Sequence, residues 1–206
     1  MELVKETGVS AHIGRLSSAQ SVEMIARAKN EQLPVTADVS AHQLHLTEHD
    51  ISSFNSAGHV IPPLRTQRDM EALRMGVADG TIDAICSDHQ PHDIDAKQAP
   101  FASTEPGISA LESFLPLCLR LAQQTSISLN EVIEKVTSSP ANILGVNAGT
   151  LSIGSPANLC ILDENEDWQL TTDTIHSHGK NTPFLGWNFQ GKVKRTIIDG
   201  DQLYCD

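Results

Sequence analysis

Short apolar runs alternate with amphipathic segments over the first two-thirds of the chain. The runs at 10–15, 34–39 and 81–87 are predicted to be strands, and helical patterns that begin near Ser17 and Thr66 lie between them. Alternation of this kind is typical of βα units that share a parallel sheet. We therefore predict that the three strands lie side by side and parallel, with the residues that follow each strand at one edge.

Polar residues mark the predicted helix starts. Ser17 with Gln20, and Ser128 with Glu131, have the spacing of capping boxes, in which two side chains satisfy the free N–H groups of the first turn. Pro116 stands inside a helical pattern at 108–123. Because proline lacks the N–H group that a helix interior needs, a kink or a break is predicted there.

After Gly149 the apolar pattern changes from helical to alternating. Period-two alternation with turn residues indicates a small β module. The predicted organisation is therefore an α/β domain at 1–148 and a β segment at 149–206. The strands expected in this segment are 158–162, 168–170 and 193–204, the last one folded around an Asp199-Gly200 hairpin signal.

Charge and hydropathy exclude two classes of partner. The net charge is −12 and no stretch concentrates Lys and Arg, so phosphate backbones and anionic lipid surfaces are repelled. No apolar run is long enough to cross a bilayer, and the polar start of the chain lacks a secretory signal pattern. We expect a cytoplasmic protein that binds neither nucleic acid nor membrane.

The cysteines and clustered histidines are not expected to carry chemistry. Cys86, Cys118 and Cys160 have apolar neighbours and no CxxC spacing, which predicts buried thiols. His42 and His45 have a spacing that on a helix would make one face, a possible metal site. We instead expect them at the end of a strand, as structural residues.

The loop after the third predicted strand holds the candidate chemistry. Asp88 follows this strand directly, where barrel enzymes place catalytic groups. A carboxylate there can ligate a metal or act as a general base, and His92 can hydrogen-bond a substrate carboxylate. The alternative is a polar loop in which Asp88 caps a turn.

Five stretches, in matching order, resemble the dihydroorotase family of the amidohydrolase superfamily. The resemblance implies a TIM-type (β/α)₈ barrel with a small β-sandwich built from both chain ends. Three βα units cannot close such a barrel, so this chain would supply the last three units and the C-terminal part of the sandwich. The five stretches are 17–19, 35–44, 62–66, 82–92 and 100–108.

The resemblance implies zinc in the active relatives, and in this chain Asp88 matches the family's aspartate ligand. At the position of the strand-six histidine ligand stands Arg15, whose guanidinium has no lone pair to offer a metal. His12 lies on the opposite face by period-two counting. The family's acidic residue on strand seven is here the shorter Asp38, and Ile61 replaces a substrate-contacting asparagine.

The same resemblance implies substrate contacts from Arg65, His92 and Gly107. We expect Asp88 to be the catalytic residue if the site works, and otherwise a vestigial metal ligand. If Asp88 is only a vestigial ligand, we expect the chain by itself to have no cofactor.

Three stretches are similar to non-catalytic dihydroorotase homologues that accompany aspartate transcarbamoylase. These stretches are 14–19, 104–109 and 179–186. They favour a catalytically degenerate scaffold whose partner is aspartate transcarbamoylase, an N-terminal barrel half or a second copy of the chain. An active zinc dihydroorotase, which hydrolyses the cyclic amide of dihydroorotate to carbamoyl aspartate, is the alternative. Arg65 and the His92 loop fit a third possibility, a hydantoinase or another ring amidase, less well.

Overall fold

Three parallel strands form the first of two sheets in a computed structural model that describes residues 1–205. The strand order is β1-β2-β3, and both neighbouring pairs are parallel. Predicted neighbours and direction are thus confirmed, although β1 and β3 are shorter than their apolar runs. In chain order the elements of the α/β part are α1 Glu2–Thr7, β1 Ala11–Ile13, α2 Ala19–Asn30, β2 Val35–Ser40, α3 Gln67–Ala78, β3 Ala84–Cys86, α4 Leu111–Gln124, α5 Leu129–Val136 and α6 Ser138–Leu144.

Side-chain caps fix the starts of three helices. Thr66 begins α3 with Asp69 as its box partner, and Ser128 begins α5 with Glu131 as predicted. Helix α2, however, is capped by Ser18 with Ser21, one residue later than the predicted Ser17 box. The reason is tertiary, since the Leu16 N–H donates to the carbonyl of Asp38 at 2.9 Å and ties the residue before Ser17 to β2.

Pro116 lies inside α4 without ending it. The helix runs unbroken from Leu111 to Gln124, so the predicted break does not occur. It also begins three residues later than its apolar pattern, because Ile108 forms a parallel β-bridge with His89. The helix continues although proline donates no hydrogen bond at this position, and the residue is buried.

The second sheet is antiparallel, with order β4-β5-β6: Leu159–Gln169, Asn188–Ile198 and Asp201–Cys205. The two runs predicted at 158–162 and 168–170 are one strand with an irregularity between Asp163 and Asp167. Asp199 and Gly200 both have positive φ, at 51° and 89°, which is the backbone that a tight hairpin turn needs. The hairpin prediction is therefore confirmed.

One hydrophobic cluster joins the α/β part to the second sheet. Val39 of β2 and Leu73 of α3 belong to the same buried cluster as Leu117 of α4 and Phe189 of β5. Helix α4 thus packs between the two sheets. The boundary drawn at 148/149 separates sequence patterns, but apolar packing continues across it.

Only one of the three cysteines predicted to be buried is fully inside. Cys118 on α4 is buried, Cys86 is half-buried, and Cys160 is exposed. The interpretation of Cys160 was wrong because this part of β4 is exposed on both faces, as the 46% exposure of the adjacent Ile161 shows. Within residues 1–205, no helix is long and apolar enough to span a membrane.

Asp69 links the starts of two helices, which leads to a stability prediction. Its carboxylate accepts hydrogen bonds from Thr66 Oγ1 at 2.6 Å and from the Ala19 N–H at 2.8 Å. Burial alone would raise the pKa of Asp69, but these bonds and the nearby Arg65 outweigh it and lower the pKa below its usual value. Asp69→Ala should therefore cost about 2 kcal/mol of unfolding free energy at neutral pH, measured by urea denaturation.

The control is Glu131→Ala in the exposed box of α5, which should cost less than about 1 kcal/mol. A carboxylate with a depressed folded-state pKa contributes stability above its unfolded pKa and loses it as the pH falls. The difference between wild type and Asp69→Ala should accordingly shrink below about pH 4. Equal losses for both variants, or a difference independent of pH, would contradict this account.

Candidate functional site

A polar face covers one side of the parallel sheet. Side chains alternate along β2, so Thr36, Asp38 and Ser40 share a face while Val35, Ala37 and Val39 are buried on the other. The register places Ser40 beside Cys86 of β3 and Thr36 beside His12 of β1. The polar face therefore draws side chains from all three strands.

Asp38 is the centre of this face. Its Oδ2 lies 2.8 Å from His12 Nε2, and its Oδ1 accepts the Arg15 backbone N–H at 2.7 Å. His12 Nδ1 lies 2.8 Å from Thr36 Oγ1, so the ring bridges two residues of β2. Asp38 thereby fixes the end of β1 against β2.

His12 and Arg15 meet on the same carboxylate, which corrects the expectation that they face opposite sides. Period-two counting holds only inside a strand, and β1 ends at Ile13. Arg15 has a φ of 57°, in the left-handed region. The turn brings its backbone N–H onto Asp38 and directs its side chain towards the end of β3.

Cys86 is a hydrogen-bond donor on this face rather than a nucleophile. Its Sγ lies 3.3 Å from Asp38 Oδ1. Burial, and then the neighbouring charge of Asp38, raise the pKa of the thiol to about 12. The group stays protonated at neutral pH, and a thiol without thiolate character does not attack a substrate.

Asp88 lies just past the end of β3. The end of β1 and Arg15 lie at the same edge of the sheet. Its Oδ1 accepts from Gln90 Nε2 at 2.8 Å, and its Oδ2 accepts from Ser40 Oγ at 3.2 Å. Its φ of 47° is left-handed, an uncommon conformation for a residue with a side chain. Both carboxylate oxygens are thus used inside the chain.

The Arg15 guanidinium is the third partner of Asp88. Nη1 lies 3.4 Å from Asp88 Oδ1 and 3.3 Å from the carbonyl oxygen of Ile61. The arginine side chain is 46% exposed and that of Asp88 9%. The predicted meeting of Arg15 and Asp88 at one edge is confirmed, and the contact itself joins residues 73 positions apart.

The side chains around Asp88 do not form a set of ligands that fits a zinc ion. A tight zinc site uses three or four protein ligands, whereas here a permanent cation contacts the one carboxylate that would bind the metal. In the part of the chain that the structure describes, no group of three His, Cys, Asp or Glu side chains is placed to hold a metal ion.

The predicted substrate-binding residues divide into two places. His92 and Gly107 are close together, since a Cβ added at Gly107 would lie 3.0 Å from His92 Nε2. Arg65 instead lies at the helix starts, with its Nε 3.7 Å from Asp69 Oδ2. Their role towards substrate stays a prediction. Three further residues of this region were not singled out in the sequence: Ser40, Gln90 and Asn181.

The clustered histidines lie in a short 3₁₀ helix, Ala41–Leu44, and the residue after it, rather than in the strand itself. His45 Nε2 donates to the Leu117 carbonyl at 2.9 Å, and burial, with Arg74 beside it, lowers its pKa to about 3. His42 is fully buried with neither ring nitrogen hydrogen-bonded, and burial lowers its pKa to about 4. Both rings are therefore neutral at pH 7.

Comparison with known proteins identifies the family. Residues 1–203 match the amidohydrolase family. The chain belongs to this family. It is 44% identical to a dihydroorotase-like protein of Pseudomonas aeruginosa, over 96% of this chain and 47% of the relative. It is 39% identical to a dihydroorotase of Syntrophus aciditrophicus, over 98% of this chain and 47% of the relative. The family expected from the five stretches is thus confirmed.

Solved structures show the same amidohydrolase fold. An L-hydantoinase of Arthrobacter aurescens aligns with a TM-score of 0.91 and 28% identity, over 98% of this chain and 46% of that protein. A D-hydantoinase aligns with a TM-score of 0.92 and 23% identity, over 47% of its length. The chain therefore spans about half the length of the relatives it matches.

The misfit of the Asp88 site to zinc leads to a metal-binding prediction. We expect less than about 0.1 zinc per chain after dialysis at neutral pH, measured by elemental analysis. Arg15→His removes the cation but adds only one imidazole, so this variant should stay equally metal-free unless further ligands are supplied. About one zinc per wild-type chain would show that our account of the site is wrong.

Proposed function

We propose that this chain is the C-terminal part of a catalytically degenerate dihydroorotase-like protein of cytoplasmic pyrimidine biosynthesis. Its three βα units would be the last three of a (β/α)₈ barrel, and its second sheet part of the β-sandwich. The single observation that carries the proposal is the contact between the Arg15 guanidinium and Asp88. In this reading the pseudoenzyme has a structural role.

Electrostatics supports the loss of metal binding. A divalent ion beside Asp88 would lie within a few ångströms of the Arg15 guanidinium. Like charges at that distance cost on the order of a few kcal/mol at an effective dielectric of about 20. The exposed half of the arginine reduces this figure by solvent screening. The missing imidazole ligand weakens the site further, because arginine has no lone pair to replace it.

The surroundings of Arg15 also suit a structural residue. The guanidinium bonds to the main-chain oxygen of Ile61, at the position where the family resemblance implies a substrate-contacting asparagine. Ile61 has no side-chain polar atom for substrate, and the side chain is 59% exposed. The Arg15 side chain thus serves an internal contact, and the Ile61 side chain offers no group for substrate.

Aspartate transcarbamoylase is the structural partner in this proposal. Support comes from the similarity of stretches 14–19, 104–109 and 179–186 to non-catalytic homologues of dihydroorotase, and from the identity to the Pseudomonas aeruginosa dihydroorotase-like protein. An N-terminal barrel half is a second expected partner, since the relatives are about twice as long. A homo-oligomer is the remaining arrangement.

Assembly gives the first test. Co-expressed with its own N-terminal half and the aspartate transcarbamoylase chain of the same organism, the protein should co-elute with the transcarbamoylase in size-exclusion chromatography. The transcarbamoylase expressed without this protein is the control, and it should elute at the smaller size of its own assembly. Separate elution of wild-type protein and transcarbamoylase at micromolar concentration would refute the partnership.

An active zinc dihydroorotase is the alternative function. Asp88 stands at the carboxyl end of a parallel strand, where this fold places its metal ligand and base, and His92 lies on the same loop. Under the alternative, Asp88 would hold the metal and act as a general base, and the remaining ligands would come from upstream strands. Arg15 would then have to move away from Asp88.

A chimera separates the two functions. Joined to strands one to five of an active dihydroorotase, the wild-type chain should remain inactive towards dihydroorotate. The double variant Arg15→His with Ile61→Asn should regain measurable hydrolysis, because it restores a metal ligand and a substrate hydrogen bond. Turnover by the unmodified chimera near the rate of the parent enzyme would instead favour the active zinc enzyme.

A further inference from the structure

Asn181 connects the second sheet's long loop to the loop that carries His92. Asn181 Oδ1 accepts the His92 backbone N–H at 2.7 Å. Its Nδ2 donates to the carbonyl oxygens of Gln90 and Gly107, both at 3.0 Å. The Asn181 carbonyl also accepts the Ser109 N–H at 2.8 Å. One residue, only 8% exposed, thus satisfies backbone groups on two sides of the His92 loop.

Two glycines make this arrangement close-packed. A Cβ at Gly107 would lie 2.6 Å from Gln90 Cβ, and a Cβ at Gly179 would lie 2.5 Å from the His92 nitrogen. Real Cβ atoms essentially never lie within 3 Å of a non-bonded heavy atom, so only glycine fits at 107 and 179 without a shift of segment 90–92. Segment 90–92 therefore packs directly against the backbones of residues 107 and 179.

The ring of His92 is held as well. Its Nε2 lies 3.0 Å from the Pro106 carbonyl oxygen, and a carbonyl oxygen can only accept, so Nε2 carries the proton. In the tautomer with its proton on Nε2, the ring has Nδ1 as an acceptor for an N–H or O–H donor. The role of His92 towards a substrate carboxylate stays a prediction.

We propose that Asn181 is a positioning residue, through which the C-terminal module fixes the His92 loop and selects the Nε2–H tautomer of its imidazole, with Nδ1 as an acceptor for a hydrogen-bond donor. The proposal does not depend on whether the whole protein turns over substrate. Asparagine suits the position because one side chain must accept from His92 and donate to two carbonyls. Serine, alanine and aspartate each lack part of this set.

The wild-type chain provides the first measurement. In two-bond ¹⁵N–¹H spectra of the full chain at about pH 8, where a free imidazole is neutral, His92 should show a protonated Nε2 and a bare Nδ1. A protonated Nδ1 in the wild type would overturn the proposal, whatever any variant does.

Two variants then test Asn181. Asn181→Asp keeps the volume but places oxygens against the Gln90 and Gly107 carbonyls, and Asn181→Ala removes all three side-chain bonds. Both should mix the His92 tautomers and speed hydrogen exchange of the His92 amide about tenfold or more. Asn147→Ala, at an exposed position, is the control and should change neither.

A space-filling role for Asn181 would leave Asn181→Asp like the wild type, and that result would also overturn the proposal. If Asn181→Ala fails to fold, the near-isosteric aspartate variant and the wild-type tautomer still decide between the two roles. Supporting results are the Nε2–H tautomer in the wild type together with its loss in Asn181→Asp.

Discussion

Two carboxylates at the carboxyl edge of the parallel sheet need donors, and Arg15 supplies one to each. Its backbone N–H binds Asp38 and its guanidinium binds Asp88. His12 and Cys86 also bind Asp38, and Gln90 and Ser40 also bind Asp88. A mostly buried carboxylate is costly without such donors, so these contacts hold the edge together. The left-handed backbone of Arg15, just past the end of β1 at Ile13, places its N–H on Asp38.

The same edge carries our proposal that family membership and activity separate in this chain. The fold aligns with hydantoinases at TM-scores above 0.9, over about half of their length. In the proposal, Arg15 is a cation at the position where the family resemblance implies a metal ligand. A fold specifies where catalytic groups stand, and only the groups themselves decide the chemistry.

The C-terminal module shapes the site from outside the parallel sheet. Asn181 holds the His92 loop, and Glu112 at the start of α4 accepts the N–H groups of His176 and Ser177, at 2.8 and 2.9 Å. Apolar packing around Phe189 and Leu117 fixes the distance between the two parts. The second sheet therefore positions the loop after β3, in addition to covering α4.

Sequence by itself determined the three parallel strands, the caps at Thr66 and Ser128, the Asp199-Gly200 hairpin and the family, because these depend on local pattern and on motifs within a few residues. It also placed Arg15 and Asp88 at one edge. Only the tertiary structure decided the joint use of Asp38 by His12 and Arg15, the exposure of Cys160 and the role of Asn181. Those features depend on contacts between residues far apart in the chain, and on where a strand ends, which no period of two or 3.6 residues encodes.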